Sequence, residues 1–250
     1  VNAINDLLRR LADSLSAQQR FASDAAHELR TPLTALKLQV QLAQRAKTPE
    51  AQQKCFSRLN EGINRATRLV QQLLTIARLD PDASKKPMTT INLAELVKSV
   101  RDDMAPIAAQ KNIEITEDAR PAMLDGMEDA IRLMVTNLTD NAIRYTPEGG
   151  RIEITSSTEH GLSVLRVCDN GPGIAPEERS RVFDRFYRAL GTKTSGTGLG
   201  LAIVKRIVDI HHGTVEIEDG LDGRGTIFKL SFPPLGASSH HTAAVPSSRI

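Results

Sequence analysis

"NLTDNAIRYTPEGGRIEITSSTEHGLSVLRVCDNGPGIA", residues 137–175, changes its period partway along. A helical pattern runs from Met127 to Tyr145, and "RIEITSST" and "LSVLRVCD" then alternate as strands do. The second strand ends in Asp169, and Gly171 and Gly173 open a turn after it. A helix followed by strands joined through short turns points to an α+β domain with a mainly antiparallel sheet.

The same alternation extends to both sides. Leu93 to Lys111 reads as a helix and "NIEIT" as a strand. A short helix near 177–187 and a longer one at 199–211 precede the strands "TVEIED" and "GTIFKLSF". "LDPDASKKPMTT" (79–90) reads as a linker, and "GASSHHTAAVPSSRI" (236–250) as a disordered tail.

Upstream of the linker the character changes. Residues 1–80 hold one glycine and two prolines. Phe56, Leu59, Ile63, Ala66, Val70, Leu73 and Ala77 step by three and four, which is a heptad seam. Ile4, Leu8, Leu11 and Leu15 repeat the pattern, as do Leu29, Leu33, Leu36, Val40 and Ala43. Thr48 reads as an N-cap, with Pro49 at the first helical position. The expected result is an antiparallel helical hairpin. A single hairpin buries little, so two are expected to pair as a four-helix bundle, which makes a homodimer.

Composition narrows the function. Hydrophobic residues are 40% and charged residues 25%, and the net charge is +2 with the signs interspersed. That balance suits a globular chain and gives no reason to expect nucleic acid as a partner. Cys55 and Cys168 are far apart and suggest neither a disulfide framework nor a metal site. No apolar run approaches the roughly 18–20 residues of a membrane span. The chain opens mid-helix at Val1, so it reads as a piece of something longer.

Three segments of the second half carry chemistry. In the helix, Asn137 and Asn141 share a face, with Arg144 and Tyr145 one turn on. Amide oxygens can ligate Mg²⁺, an arginine can meet phosphate, and a tyrosine ring can stack on a base. Asp169 is acceptor-only and can take a hydrogen bond from an exocyclic amine such as that of adenine. "SGTGLGLAIVKRI" (195–207) leads Gly196, Gly198 and Gly200 into a helix start, an anion site of backbone amides. Thr197 stands where a Walker A lysine belongs, so this is no P-loop. Each segment alone also fits a plain turn or a solvated helix face.

Taken together and in this order, they resemble the ATP-binding domain of sensor histidine kinases and of their relatives among type II topoisomerases, Hsp90-type chaperones and mismatch-repair ATPases. Asn137, Asn141, Arg144 and Tyr145 resemble the N box, and Asp169, Gly171 and Gly173 the first glycine box. "FDRFYR" (183–188) resembles the F box, Gly196 to Gly200 the second glycine box, and "GRGTIFKL" (223–230) the last. The resemblance implies a two-layer α/β sandwich at 91–235 that binds ATP with Mg²⁺. Asn137 and Asn141 would hold the metal. Gly196, Thr197, Gly198, Leu199 and Gly200 would meet the phosphates, under a lid at 187–197.

"HELRTP" (27–32) resembles the H box of the same kinases, and residues 16–80 their dimerisation and phosphotransfer hairpin, most like the QseC/PmrB type of Gram-negative sensors. Residues 1–15 look like the end of a HAMP signalling helix, and 81–90 like the linker. The resemblance implies a cytoplasmic portion of an inner-membrane protein, anchored by segments absent from this chain. It implies phosphotransfer from His27 to an aspartate on a response regulator receiver domain, of the OmpR-like class, and phosphatase activity on that regulator.

The residues around His27 support an exposed nucleophile. His27 lies two positions from both Ala25 and Leu29, about 200° around the helix from the inward face. Thr31 and Ser23 share its outward face. Pro32 has no N–H for the Glu28 carbonyl, so a bend is expected just after the histidine. Imidazole with a pKa near 6.5 is largely neutral at pH 7, and Glu28 can accept the proton of one ring nitrogen.

Two other functions compete. A chaperone or clamp ATPase of the same superfamily would need a glutamate in place of Asn137 to activate water, and an amide cannot take that proton. A non-catalytic dimeric scaffold would not need the motifs intact.

Overall fold

The computed structural model describes residues 2–78, 88–188, 197–220 and 223–235, with some residues of the first two helices, His27 and Glu28 among them, described by backbone alone. The tail expected at 236–250, most of the linker expected at 81–90, and the greater part of the lid expected at 187–197 lie outside the described residues. The chain divides into two units, Val1–Ala77 and Arg78–Ile250.

Two helices make the first unit, α1 (Asn2–Arg45) and α2 (Pro49–Arg78). The expected cap is present: the Ala51 N–H donates to Thr48 Oγ1 at 3.2 Å, and Pro49 opens α2. α1 passes through Pro32 and continues to Arg45. Leu29, Pro32, Leu36, Gln39, Ala43 and Ala46 are buried or half-buried, in steps of three and four. Cys55, Leu59, Gly62, Ala66 and Leu69 do the same on α2. A Cβ at Gly62 would lie 2.7 Å from Leu36 Cδ2, so the two helices approach closely there.

The heptad seam read in the sequence therefore splits. Its Leu59 and Ala66 turn into the hairpin, whereas Leu33, Val40, Phe56, Ile63 and Val70 stay 40–58% exposed. The physical reason is the width of the apolar stripe. One antiparallel partner covers only part of an arc that recurs every 3.5 residues.

The second unit runs β1 (Thr89–Asn92), α3 (Leu93–Ala109), β2 (Glu114–Ala119), β3 (Met123–Gly126), α4 (Glu128–Tyr145), β4 (Arg151–Glu159), β5 (Leu162–Asp169), α5 (Gly200–Ile210), β6 (Thr214–Asp219) and β7 (Thr226–Phe232). Five strands form one sheet in the order β2-β4-β5-β7-β6, and β1 pairs with β3 separately. β4–β5, β5–β7 and β6–β7 are antiparallel, but β2 lies parallel to β4. The parallel pair is possible because β3 and α4 together make the crossover that a parallel connection needs. α3, α4 and α5 pack together, and Ile131, Met134, Leu138, Ile152, Leu165 and Ile203 are among the side chains they and the sheet bury completely.

Two local features depart from the sequence reading. The helix expected near 177–187 is one 3-10 turn, Pro176–Glu178, followed by turns. Phe186 has φ +62°, which an α-helix cannot accommodate. β1 and β3 have no counterpart among the expected strands, being four residues each and paired with one another.

His211 ties the end of α5 to the start of α4. Its Nδ1–H donates to the Ile207 carbonyl at 2.7 Å, and its Nε2 accepts the Met127 N–H at 3.1 Å, serving the start of α4 where Met127 itself supplies no cap. Burial, reinforced by neighbouring His212, holds its pKa below the ordinary value of 6.5. A histidine depressed in this way stabilises the fold above its unfolded pKa, and that contribution is lost as pH falls through the folded value. Thermal melts of the ATPase half are therefore expected to fall as pH drops below 6.5, with a shallower fall in His211→Gln. Equal slopes in the two proteins would reject this account.

Candidate nucleotide site

β5, the central strand, delivers Asp169 at its C-terminal end, where the residue is 5% exposed. Its Oδ1 accepts the Gly171 N–H at 2.8 Å, and its carboxylate also accepts the Thr226 N–H from the start of β7. Burial pushes the Asp169 carboxyl up from its ordinary value, and these two N–H donors oppose that. The result is a buried acceptor held from both sides by backbone.

Glycines make this approach possible. A Cβ at Gly225, where φ is +84°, would lie 1.8 Å from the Asp169 carbonyl oxygen, so no side chain fits there. A Cβ at Gly171 would meet Asp169 Oδ1 at 2.8 Å and the Tyr145 carbonyl at 3.1 Å. The first glycine segment is therefore packed against the end of α4.

α4 carries the amides. Asn137 donates through Nδ2 to the Leu133 carbonyl at 2.9 Å, leaving Oδ1 turned toward α5, 3.3 Å from a Cβ built on Gly200. Asn141 and Tyr145 are half-buried on the same helix. Arg144 pairs with Asp140 at 2.7 Å, one turn back. Lys111, which sequence reading passed over, donates from Nζ to the carbonyls of Ile143 (2.8 Å), Arg144 (3.2 Å) and Thr146 (3.2 Å). That ammonium satisfies orphan carbonyls at the C-terminus of α4 and complements its dipole.

The second glycine segment enters α5. Leu199, fully buried, is the residue before the helix, and its N–H reaches Thr197 Oγ1 at 3.4 Å. The Gly198 carbonyl accepts the Phe186 N–H at 2.9 Å, linking this segment to the F-box stretch. Phe183 of that stretch meets Phe228 of β7 edge to face, with centroids 6.4 Å apart. Gly196 lies outside the described residues.

Contacts therefore join Asn137 to Gly200, Tyr145 to Gly171, and Asp169 to Gly171 and Thr226. Thr226 and Gly225 lie in "GRGTIFKL", and nothing in their spacing marks them as supports of Asp169. Among the described residues no cluster of three or more His, Cys, Asp or Glu could hold a metal. An amide set fits a hard cation that keeps waters and phosphate oxygens as its other ligands.

In the first unit Thr31 is exposed, as expected, and Ala25 and Leu29 are half-buried. His27 and Glu28 lie in α1, with their side chains outside the described residues. Among the described residues no helix is long and apolar enough to cross a membrane.

The comparisons match both halves. Residues 17–82 match the His Kinase A (phospho-acceptor) domain, and residues 126–236 the histidine kinase-, DNA gyrase B- and HSP90-like ATPase. The sensor protein kinase PmrB of Pseudomonas aeruginosa is 41% identical over 234 residues, 93% of this chain and 49% of that protein. The sensor protein QseC of Escherichia coli K12 is 41% identical over 226 residues, 89% of this chain and 49% of that protein. The chain thus spans about half the length of the curated relatives it matches. Among solved structures, histidine kinase ThkA in complex with response regulator protein TrrA covers 90% of this chain and 64% of its own, with TM-score 0.71 and 25% identity. Acinetobacter baumannii histidine kinase AdeS covers 83% and 97%, with TM-score 0.68 and 26% identity. With a phospho-acceptor helical hairpin ahead of a gyrase B- and HSP90-like ATPase domain, the chain belongs to the sensor histidine kinases.

Proposed function

We propose that this chain is the kinase core of a sensor that phosphorylates itself on His27 from ATP and passes the phosphoryl group to an aspartate of a response regulator receiver domain. The observation that carries the reading is the buried Asp169 carboxylate, held by Gly171 and Thr226, in a chain that also bears a phospho-acceptor domain. In this reading Asp169 accepts the adenine amine, Tyr145 stacks on the base, and Arg144 meets phosphate. The backbone amides of Gly196, Thr197, Gly198, Leu199 and Gly200 hold the phosphates at the start of α5. Gly173 keeps the turn close to the ring. Asn137 and Asn141 ligate Mg²⁺, which neutralises phosphate charge when bound.

A lone pair of the His27 ring attacks the γ-phosphorus, forming a P–N bond while the bond to the β,γ-bridging oxygen breaks and ADP leaves. Glu28 takes the proton from the other ring nitrogen. Asn137, an amide, provides no base for water, so the phosphoryl group is kept for the imidazole. Incubation with γ-labelled Mg-ATP is expected to give acid-labile, base-stable label on the chain. Label stable to acid would reject a phosphoramidate.

We further place the dimerisation and phosphotransfer domain at 16–80, after the end of a signalling helix at 1–15. The linker is assigned to 81–90, the ATP-binding domain to 91–235, and the tail to 236–250. The parent protein is an inner-membrane sensor with this portion in the cytoplasm, and the regulator is of the OmpR-like class. The complex of ThkA with a response regulator supports a response regulator as the partner.

The open half-seam supports a homodimer. Leu33, Val40, Phe56, Ile63 and Val70 form an apolar face that a second hairpin would cover. Light scattering is expected to find a dimer at about 10 µM, and Phe56→Glu with Ile63→Glu a monomer. A monomeric wild type would reject the pairing.

Thr31 is assigned to the reverse reaction, where its exposed hydroxyl can hold a water in line with a phosphoaspartate. Thr31→Ala is expected to keep self-labelling and to slow regulator dephosphorylation about 100-fold, the order expected when a positioning group is lost. Loss of self-labelling with a normal dephosphorylation rate would reverse the assignment.

A further inference from the structure

Arg179 follows the 3-10 turn at Pro176–Glu178 and reaches across a gap. Its Nε donates to the Ile174 carbonyl at 3.2 Å and its Nη1 to the Ile217 carbonyl at 3.2 Å, while Nη2 donates to the Asp219 carboxylate. Ile174 comes directly after Gly173, in the glycine turn that follows Asp169. Ile217 and Asp219 belong to β6. One planar guanidinium therefore joins the glycine turn to the β6–β7 hairpin.

The hairpin is the other support of Asp169. The Gly220 N–H donates to the Gly225 carbonyl at 3.1 Å, Gly225 lies on the Asp169 backbone, and the next residue, Thr226, donates to the Asp169 carboxylate. Between turn and hairpin opens a cleft of about 500 Å³, lined by Pro172, Gly173, Pro176, Arg179, Asp219 and Gly225. Gly173 still touches the hairpin, since a Cβ there would lie 3.0 Å from the Gly225 carbonyl. Asn170 also lies against it, 2.7 Å from a Cβ built on Gly225, and Arg179 spans the open part of the cleft.

We propose that Arg179 is a positioning residue for nucleotide recognition. It clamps the glycine turn to the β6–β7 hairpin, so that Gly171 and Thr226 both reach the Asp169 carboxylate and aim it. The inference rests on the reading of Asp169 as the group that recognises the base. The fork geometry matters: a lysine ammonium is a compact point charge and cannot serve three acceptors laid out around a plane.

The test is calorimetric titration of the whole chain with ATP, ADP and GTP in Mg²⁺, alongside thermal melts. Arg179→Leu is expected to raise the dissociation constants for ATP and ADP by the same factor, about five- to tenfold, as befits lost charge-assisted hydrogen bonds at the base end. The preference for ATP over GTP is expected to narrow. Arg179→Lys is expected to recover little of the loss, and Asp219→Asn to cost about twofold, because the Asp219 side chain is 76% exposed. A lower melting temperature with unchanged nucleotide affinity and selectivity would make Arg179 a structural tie only and overturn the proposal. Should Arg179→Leu not fold, wild-type affinity in Arg179→Lys would overturn it equally. Failure of the wild-type chain to bind ATP would overturn the nucleotide reading itself, which is a distinguishable result.

Discussion

Asp169→Asn is expected to weaken ATP binding by roughly 10- to 100-fold, the range for losing a hydrogen bond to a charged group in a buried site. The geometry explains the size. The carboxylate accepts the N–H groups of Gly171 and Thr226, and both of its oxygens are acceptors. An amide has one acceptor oxygen, so its NH₂ group must face a backbone donor or the adenine amine. Either arrangement sets donor against donor in a site that is 5% exposed. The amide can instead donate to the carbonyl oxygen of guanine, so selectivity for ATP over GTP should shrink as affinity falls. Titration of the variant with both nucleotides checks this. Wild-type affinity together with wild-type selectivity would remove Asp169 from base recognition.

His27→Gln is expected to remove all acid-labile label from a chain incubated with Mg-ATP, a loss limited only by detection. Glutamine keeps a polar side chain of comparable length on α1 but has no nitrogen lone pair that can attack phosphorus. ATP affinity should stay within about twofold of wild type, since His27 and the ATP-binding residues belong to separate units. The pairing of those outcomes matters. Label persisting in His27→Gln would place the phosphoacceptor elsewhere, whereas lost ATP binding would mean that the histidine contributes to the nucleotide site.

Much of this was legible in the residues because it depends on local pattern. α4 begins one residue after the start expected at Met127 and ends where expected, at Tyr145, since its apolar spacing is written into the segment itself. The strands at 151–159 and 162–169 follow from alternation and from the turn between them, where His160 and Gly161 both have positive φ. What was not legible depends on partners distant in the chain. β1 pairs with β3 across more than 30 residues, and neither "TTIN" nor "MLDG" alternates clearly. The heptad pattern identified the apolar stripe but not how one neighbour divides it. Lys111 and Arg179 look like solvated surface cations in the sequence. Only the fold shows each bound to backbone carbonyls, two or three at a time. His211 was passed over because a histidine among apolar residues carries no sign of which amide it will cap.

The surroundings of Asp169 are built largely of main-chain atoms: the N–H groups of Gly171 and Thr226, and the close backbones of Gly225 and Tyr145. Every residue type except proline supplies a main-chain N–H, so drift at neighbouring positions that do not require glycine leaves these donors in place. They are, however, tied to chain length. Adding or deleting one residue between 169 and 173, or just before Thr226, shifts which amide arrives at the carboxylate and at what angle. The site should therefore accept many substitutions over evolutionary time and almost no insertions or deletions, and its spacing should outlast its spelling.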